Sequence, residues 1–197
     1  MEMIESLTCS ARMLGGSPNQ VLTEKMMHMI WTRLPMRLRL RDWEMVYSFE
    51  GDGAGINQMY RKLRGLSRRA AGAGCLLLVR QESGDVCGAY ASQPWVPHIG
   101  AFGTGETFVF HFADPKMDPE ATQGRIYTWA RTNDFFLTAS GGDTPSIGVG
   151  GGDGGYALYL DHSLLHASNS SSATFQSPPL AKVGTFKVLQ AEVWAFP

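Results

Sequence analysis

Three cysteines in 197 residues, Cys9, Cys75 and Cys87, are too few and too scattered for a disulfide framework. None forms a C-x-x-C pair, so a redox or zinc-ribbon motif is excluded, and a reducing compartment is expected. Charged residues make up only 18% of the chain and the net charge is −1, which does not suit a disordered acidic or basic tail. No apolar run approaches the ~20 residues that span a bilayer. The first residues, MEMIESLTCSARMLGG, carry no apolar secretory core. These absences predict a cytoplasmic chain. No fixed-period repeat and no alternation of strand and helix is present, so solenoids and doubly wound parallel sheets are set aside.

The usual signatures of chemistry are missing too. There is no G-x-S-x-G elbow and no phosphate-binding P-loop. Gly150 to Gly155 satisfies G-x-G-x-x-G in letters, but a dinucleotide site needs a helix after the glycines, and Tyr156–Leu160 reads as a strand. His162 and His166 are four residues apart without the Glu of H-E-x-x-H, and His28, His98 and His111 lie in three separate segments. No metal, cofactor or catalytic residue is therefore expected. Nucleic-acid binding is not expected either: the aromatics alternate as core strands and do not interleave with the basic residues.

What the chain has in abundance is glycine, 23 residues, with 10 prolines and an aromatic content of 11%. That composition predicts many turns, short strands and few long helices. Residues 1–16 read as a tail or linker and 17–197 as one domain. Ser17-Pro18 reads as a helix start, followed by Val21, Leu22, Met26, Met29, Ile30 and Leu34 at helical spacing, with Pro35 as the stop. Ile56–Leu66 reads as a second helix. Strands are predicted at Trp43–Phe49, Cys75–Val79, Val86–Ser92, Thr107–Phe112, Arg125–Ala130, Phe135–Thr138, Tyr156–Leu160 and Phe186–Phe196. Asp52-Gly53 and Ser83–Asp85 read as turns, and 114–124 and 168–177 as loops. The class is α+β: two antiparallel sheets packed as a sandwich and flanked by short helices.

Charge is unevenly placed. Between Arg33 and Arg69 there are nine basic residues and four acidic ones. Arg61, Lys62 and Arg64 fall on the outer side of the second helix, and Arg68 and Arg69 continue the basic surface just beyond it. Such a face suits an acidic protein partner or an anionic membrane headgroup such as a phosphoinositide, or is simply solvated. Cys75 and Cys87 lie in apolar runs and read as core residues; an antioxidant thiol enzyme would need one of them exposed and electropositive.

One string is distinctive. Gly103-Thr104-Gly105-Glu106-Thr-Phe-Val-Phe110 resembles the signature of the TLDc family, the oxidation-resistance and nuclear-coactivator type of domain. Further segments are similar: the Met59-Tyr60-Arg61 stretch, Val86–Tyr90, Tyr127-Thr-Trp129, Ile147–Gly152 with Gly148 and Gly150, Ala157–Asp161, and the close at Glu192-Val-Trp194. Val86–Tyr90 and Gly150–Gly152 look most like the TBC–TLDc (Skywalker-like) branch, which carries a Rab-GAP-like domain and acts in vesicle traffic. The resemblance implies a sandwich fold, a protective role under oxidative stress, association with the vacuolar proton pump (V-ATPase), and no accepted catalytic residue. It implies that Gly103, Thr104, Gly105, Glu106, Gly148, Gly150, Asp161, Glu192 and Trp194 are structural or partner-binding; for Glu106 a structural role is expected. The sequence departs from the family at Ser172, where the family often has cysteine, and at Ser177, where it often has asparagine.

Overall fold

The computed structural model describes residues 11–69, 72, 74–114, 124–152 and 154–197, with backbone alone at 67–69. Most of the predicted loop at 114–124, Cys9, Asp153 and the Arg68 and Arg69 side chains lie outside the described residues. The described residues form eleven strands and three α-helices. The strands are β1 (Met13–Leu14), β2 (Trp43–Ser48), β3 (Cys75–Gln81), β4 (Val86–Ala91), β5 (Phe108–Phe112), β6 (Arg125–Thr128), β7 (Leu137–Ser140), β8 (Ser146–Val149), β9 (Leu158–Leu160), β10 (His166–Ser168) and β11 (Thr185–Ala195). The helices are α1 (Glu24–Trp31), α2 (Phe49–Asp52) and α3 (Ile56–Arg69).

The order of pairing is β6-β5-β4-β3-β11-β10-β9-β8-β7, and β11 belongs to both halves. Its first residues pair with β10, and its last pair with β2 along the same edge, while β3 lies along the other. Register shifts between Val188 and Gln190 and between Val193 and Trp194 bend this long strand from one sheet into the other. All pairs are antiparallel except β1 with β2.

Two cores result. Leu77, Val79, Cys87, Ala89 and Val109 on one face of β3–β5 pack with Leu137, Ile147, Val149, Leu158 and Leu160 of the other sheet, and with Ile56, Met59, Tyr60 and Leu63 of α3. This is the sandwich interior. Leu76, Leu78, Tyr90, Phe108, Phe110 and Phe112 on the opposite face pack with Met27, Ile30 and Trp31 of α1, and with Trp43, Trp194 and Phe196. Strand β3 is thus covered on both sides, which is why it reads as an unbroken apolar run rather than an alternating one. Tyr60 pins α3 to the β7–β8 hairpin: its hydroxyl donates to the Ser140 and Ser146 carbonyls at 3.0 and 2.7 Å.

Several expectations need correction. The first helix begins at Glu24, not Ser17. Its N-cap is Thr23, whose hydroxyl accepts the Met26 N–H at 3.2 Å. Val21 and Leu22 are buried but lie ahead of the helix, held there by a side chain from β11. Residues 13–14, read as tail, pair with β2. The Asp52-Gly53 turn is the end of α2, with Gly53 at φ +80° as its C-terminal cap. The strand expected at Phe135–Thr138 is displaced to Leu137–Ser140, because Phe135 and Phe136 give their carbonyls to Gly151 and Gly150 instead. The predicted loop at 168–177 starts with the end of β10 and is closed by a bridge between Ser172 and Ser177.

Candidate functional site

The Gly103–Glu106 loop enters β5 through a set of local bonds. Thr104 N–H donates to Ser92 Oγ at 2.8 Å, Thr107 N–H donates to the Thr104 carbonyl at 3.0 Å, and the Thr107 hydroxyl donates to Ser92 Oγ at 3.1 Å. Gly103 has φ +96°, and a Cβ there would meet Leu137 Cδ1 at 2.9 Å. A Cβ on Gly105 would overlap the Trp129 ring. Gly103 is therefore demanded by both packing and backbone conformation, and Gly105 by packing.

The glycine run forms the opposite wall. Gly150, at φ +67°, leaves no room for a Cβ beside Phe175 and Ser172, and one on Gly148 would meet Tyr156 and Thr138. Gly150 and Gly151 donate to the Phe136 and Phe135 carbonyls at 2.9 and 3.0 Å, while Phe102 pairs with Leu137. The two signatures thus grip the same stretch, residues 129–137, from opposite sides. Sequence reasoning read this stretch only as the end of one strand, Arg125–Ala130, and the start of the next, Phe135–Thr138. Trp129 Nε1 donates to the Asn133 carbonyl at 2.7 Å, Asn133 Oδ1 accepts from the Thr174 hydroxyl at 2.7 Å, and the Thr174 hydroxyl also lies 3.0 Å from the Gly151 carbonyl. Arg131 adopts φ +62° beside the Trp129 ring. The signal available in the sequence was Asn133 itself, a side chain suited to bracing a turn. Next to this hub lies an open cleft of about 410 Å³, lined by Phe135, Tyr156, His98 and Thr138 with Gly151 and Gly152. Phe135 is 47% exposed at its rim.

Glu106 leaves the hub in the other direction. Its two carboxylate oxygens receive Arg37 Nη1 and Nη2, a bidentate pair across 69 residues of chain. The Arg37 guanidinium holds the Glu106 carboxyl below the ordinary glutamate range, against a smaller opposing effect of burial. A carboxyl whose folded pKa is depressed adds stability above its unfolded value and loses it as pH falls through the folded one. Both groups are substantially exposed, so the pair contributes about 0.5 kcal/mol. A double-mutant cycle with Arg37→Ala and Glu106→Ala, read by urea denaturation at pH 7 and at pH 3, is expected to show that coupling at pH 7 and a smaller one at pH 3.

Glu192 behaves differently. It is 3% exposed, and its carboxylate accepts the Val21 N–H, the Leu22 N–H at 3.3 Å and Trp194 Nε1 at 3.0 Å. It clamps the segment ahead of α1 to β11, away from the cleft. Asp161 caps a turn: Oδ1 accepts the Ser163 N–H at 3.0 Å and the Ser163 hydroxyl at 2.6 Å. On α3, Arg61 and Arg64 are exposed, and Lys62 pairs with Asp52 at 2.8 Å. The signature residues therefore fall into three places rather than one: the hub, the Glu192–Trp194 clamp and the Asp161 turn. The basic helix face is a fourth.

The described thiols, Cys75 and Cys87, are fully buried, and burial pushes each up to about 12. Ser172 Oγ donates to the Gly150 carbonyl at 2.8 Å. Native protein treated with iodoacetamide at pH 8 is expected to leave the Cys75 and Cys87 peptides unmodified until it is denatured, as read by mass spectrometry. Among the described residues, no three His, Cys, Asp or Glu side chains are grouped to hold a metal ion. Strand β9 follows the glycine run, so the helix a dinucleotide site requires is not there. No helix among the described residues is long and apolar enough to cross a membrane.

These loop geometries lie within one family pattern. The model of the TLDc domain matches residues 16–197. The chain belongs to the TLDc family. It is 33% identical to Oxidation resistance protein 1 of Rattus norvegicus over 181 residues, which is 92% of this chain and 20% of that protein. The Homo sapiens protein of the same name is likewise 33% identical over 181 residues, covering 92% of this chain and 19% of the relative. Nuclear receptor coactivator 7 of Homo sapiens is 32% identical over 180 residues, 91% of this chain and 17% of the relative. The chain thus spans a fifth or less of the length of these TLDc proteins, and neither of their names is that of an enzyme.

Proposed function

We propose that this TLDc domain is a non-catalytic protein-docking module that serves resistance to oxidative stress by binding and regulating the V-ATPase. It works on the cytoplasmic side of vesicle membranes, within a longer protein of vesicle traffic. The relatives named for oxidation resistance support the first part. The resemblance of Val86–Tyr90 and Gly150–Gly152 to the TBC–TLDc branch supports the second.

One observation carries the reading. Gly103, Gly105 and Gly150 serve to shape loops around residues 129–137, Gly148 lets β8 pack closely against Tyr156 and Thr138, and Glu106, the charged side chain of the GTGE string, pairs with Arg37 at the surface. A signature that builds a rigid rim is what a docking surface needs, since a preformed surface loses little conformational freedom on binding. A thiol mechanism would need a reachable thiolate, and neither Cys75 nor Cys87 is reachable.

The test is affinity capture from detergent-solubilised vesicles at low salt. V-ATPase subunits are expected in the eluate of the unchanged chain and absent from that of Phe135→Asp, which alters the cleft rim and not the core. An eluate without pump subunits from the unchanged chain would contradict the reading.

A further inference from the structure

The link between α1 and β2 is firmly held on one side and bare on the other. Leu34 and Leu38 are buried, and a 3-10 turn at Met36–Leu38 is closed by Leu38 N–H to the Pro35 carbonyl at 2.8 Å and Arg39 N–H to the Met36 carbonyl at 3.2 Å. Arg39 reinforces it from within. Its Nε donates to the Leu34 carbonyl at 2.9 Å and its Nη2 to the Thr32 carbonyl at 2.7 Å, and its guanidinium lies 5.5 Å from the centre of the Trp31 ring. Trp31 Nε1 donates back to the Arg39 carbonyl at 2.7 Å.

This frame thrusts two large apolar side chains into solvent: Met36 is 81% exposed and Leu40 is 86% exposed. Arg33, Arg37 and Arg41 are exposed around them. No acidic residue occurs from Met26 to Arg41. Glu106 engages Arg37 from outside the segment, and Arg12 engages Asp42 just beyond it; among the described residues no carboxylate pairs with Arg33 or Arg41, both of which are exposed, and Arg41 makes one bond, from Nη1 to the Phe196 carbonyl at 3.4 Å.

We propose that residues 33–41 are a membrane-contact loop, which seats Met36 and Leu40 in the interfacial region of an anionic bilayer while Arg33 and Arg41 meet lipid phosphates and carboxylates. Apolar tips with basic flanks are the chemistry that partitions to such an interface. A fluid interface can take in side chains that stand this far clear of their neighbours, whereas a peptide would need to bring its own cleft to receive them. The buried leucines and the Arg39 brace fix the loop beforehand, so little ordering remains to be done on contact. This surface is separate from the cleft beside Phe135 and from the Arg61–Arg64 face of α3.

The test is sedimentation of the full chain with vesicles of phosphatidylcholine alone and of phosphatidylcholine mixed with phosphatidylserine. Binding is expected to the mixed vesicles only. The double variant Met36→Asp/Leu40→Asp is expected to bind about tenfold more weakly or worse, and Arg33→Glu about fivefold more weakly, both with unchanged melting because the replaced groups are exposed. Undiminished binding by the double variant overturns the proposal, as does a loss confined to Arg61→Glu/Arg64→Glu. Sedimentation with neither vesicle, together with capture on an immobilised acidic peptide, would assign the loop to a protein partner and overturn it as well. Because pump capture is carried out in detergent, failure of one test leaves the other standing.

Discussion

Glu192→Ala is expected to destabilise the domain by roughly 3–5 kcal/mol, lowering the melting temperature by about 10 °C. The carboxylate is the acceptor for three buried donors: the Val21 and Leu22 amides and the Trp194 indole. Alanine leaves all three donors without their acceptor, and each uncompensated donor costs about 1–3 kcal/mol. Glu192→Gln keeps one acceptor oxygen but turns an NH₂ toward backbone donors, so it is expected to cost about half as much. The damage should be local before it is global. Faster amide exchange at Val21 and Leu22, with β3 and β4 still protected, would mark release of the segment ahead of α1. Exchange that rises uniformly would mean the clamp is no more than general core packing.

Gly88→Ala is expected to be at least as severe, about 3 kcal/mol or more, and to reduce soluble expression sharply. Gly88 sits in the middle of β4, opposite Phe110 of β5. An added methyl would overlap the Leu77 carbonyl oxygen and lie 2.6 Å from Phe110 Cζ. The carbonyl is part of the β3–β4 ladder and cannot retreat without breaking it. The Phe110 ring lies over the bare glycine, within the core that holds α1 against the sheet. Thermal denaturation of whatever soluble protein accumulates provides the measurement. A melting temperature within a degree or two of the unchanged chain would show that the sheets are looser than described.

The sheet content could be read because the strands carry their own evidence. Phe108, Phe110 and Phe112 alternate, Cys75–Val79 is apolar throughout, and the turn at Ser83–Asp85 separates two clear runs. The start of α1 could not be read, because the group that holds Val21 and Leu22 outside the helix is Glu192, about 170 residues away in the chain. Local helical spacing was present and a distant carboxylate overrode it. Glu106 posed the same difficulty: the string that contains it is distinctive, yet its partner Arg37 lies 69 residues earlier. The hub at 129–137 was missed for a different reason. Its order comes from single bonds made by Trp129, Asn133 and Thr174 to separate loops, and such bonds leave no periodic trace. The glycines, by contrast, mark their positions plainly, since Gly103 and Gly150 hold backbone angles that other residues adopt at a cost.

If this domain protects by docking and not by its own chemistry, protein without thiols protects as well as the unchanged chain. The direct measurement is survival of peroxide-stressed cells that lack their own TLDc proteins and carry either the unchanged chain or Cys9→Ala/Cys75→Ala/Cys87→Ala, expressed to equal level within the same longer protein. Equal protection by the two is the predicted result. Protection that disappears with the thiols, while the triple variant remains folded and still captures the pump, would contradict it.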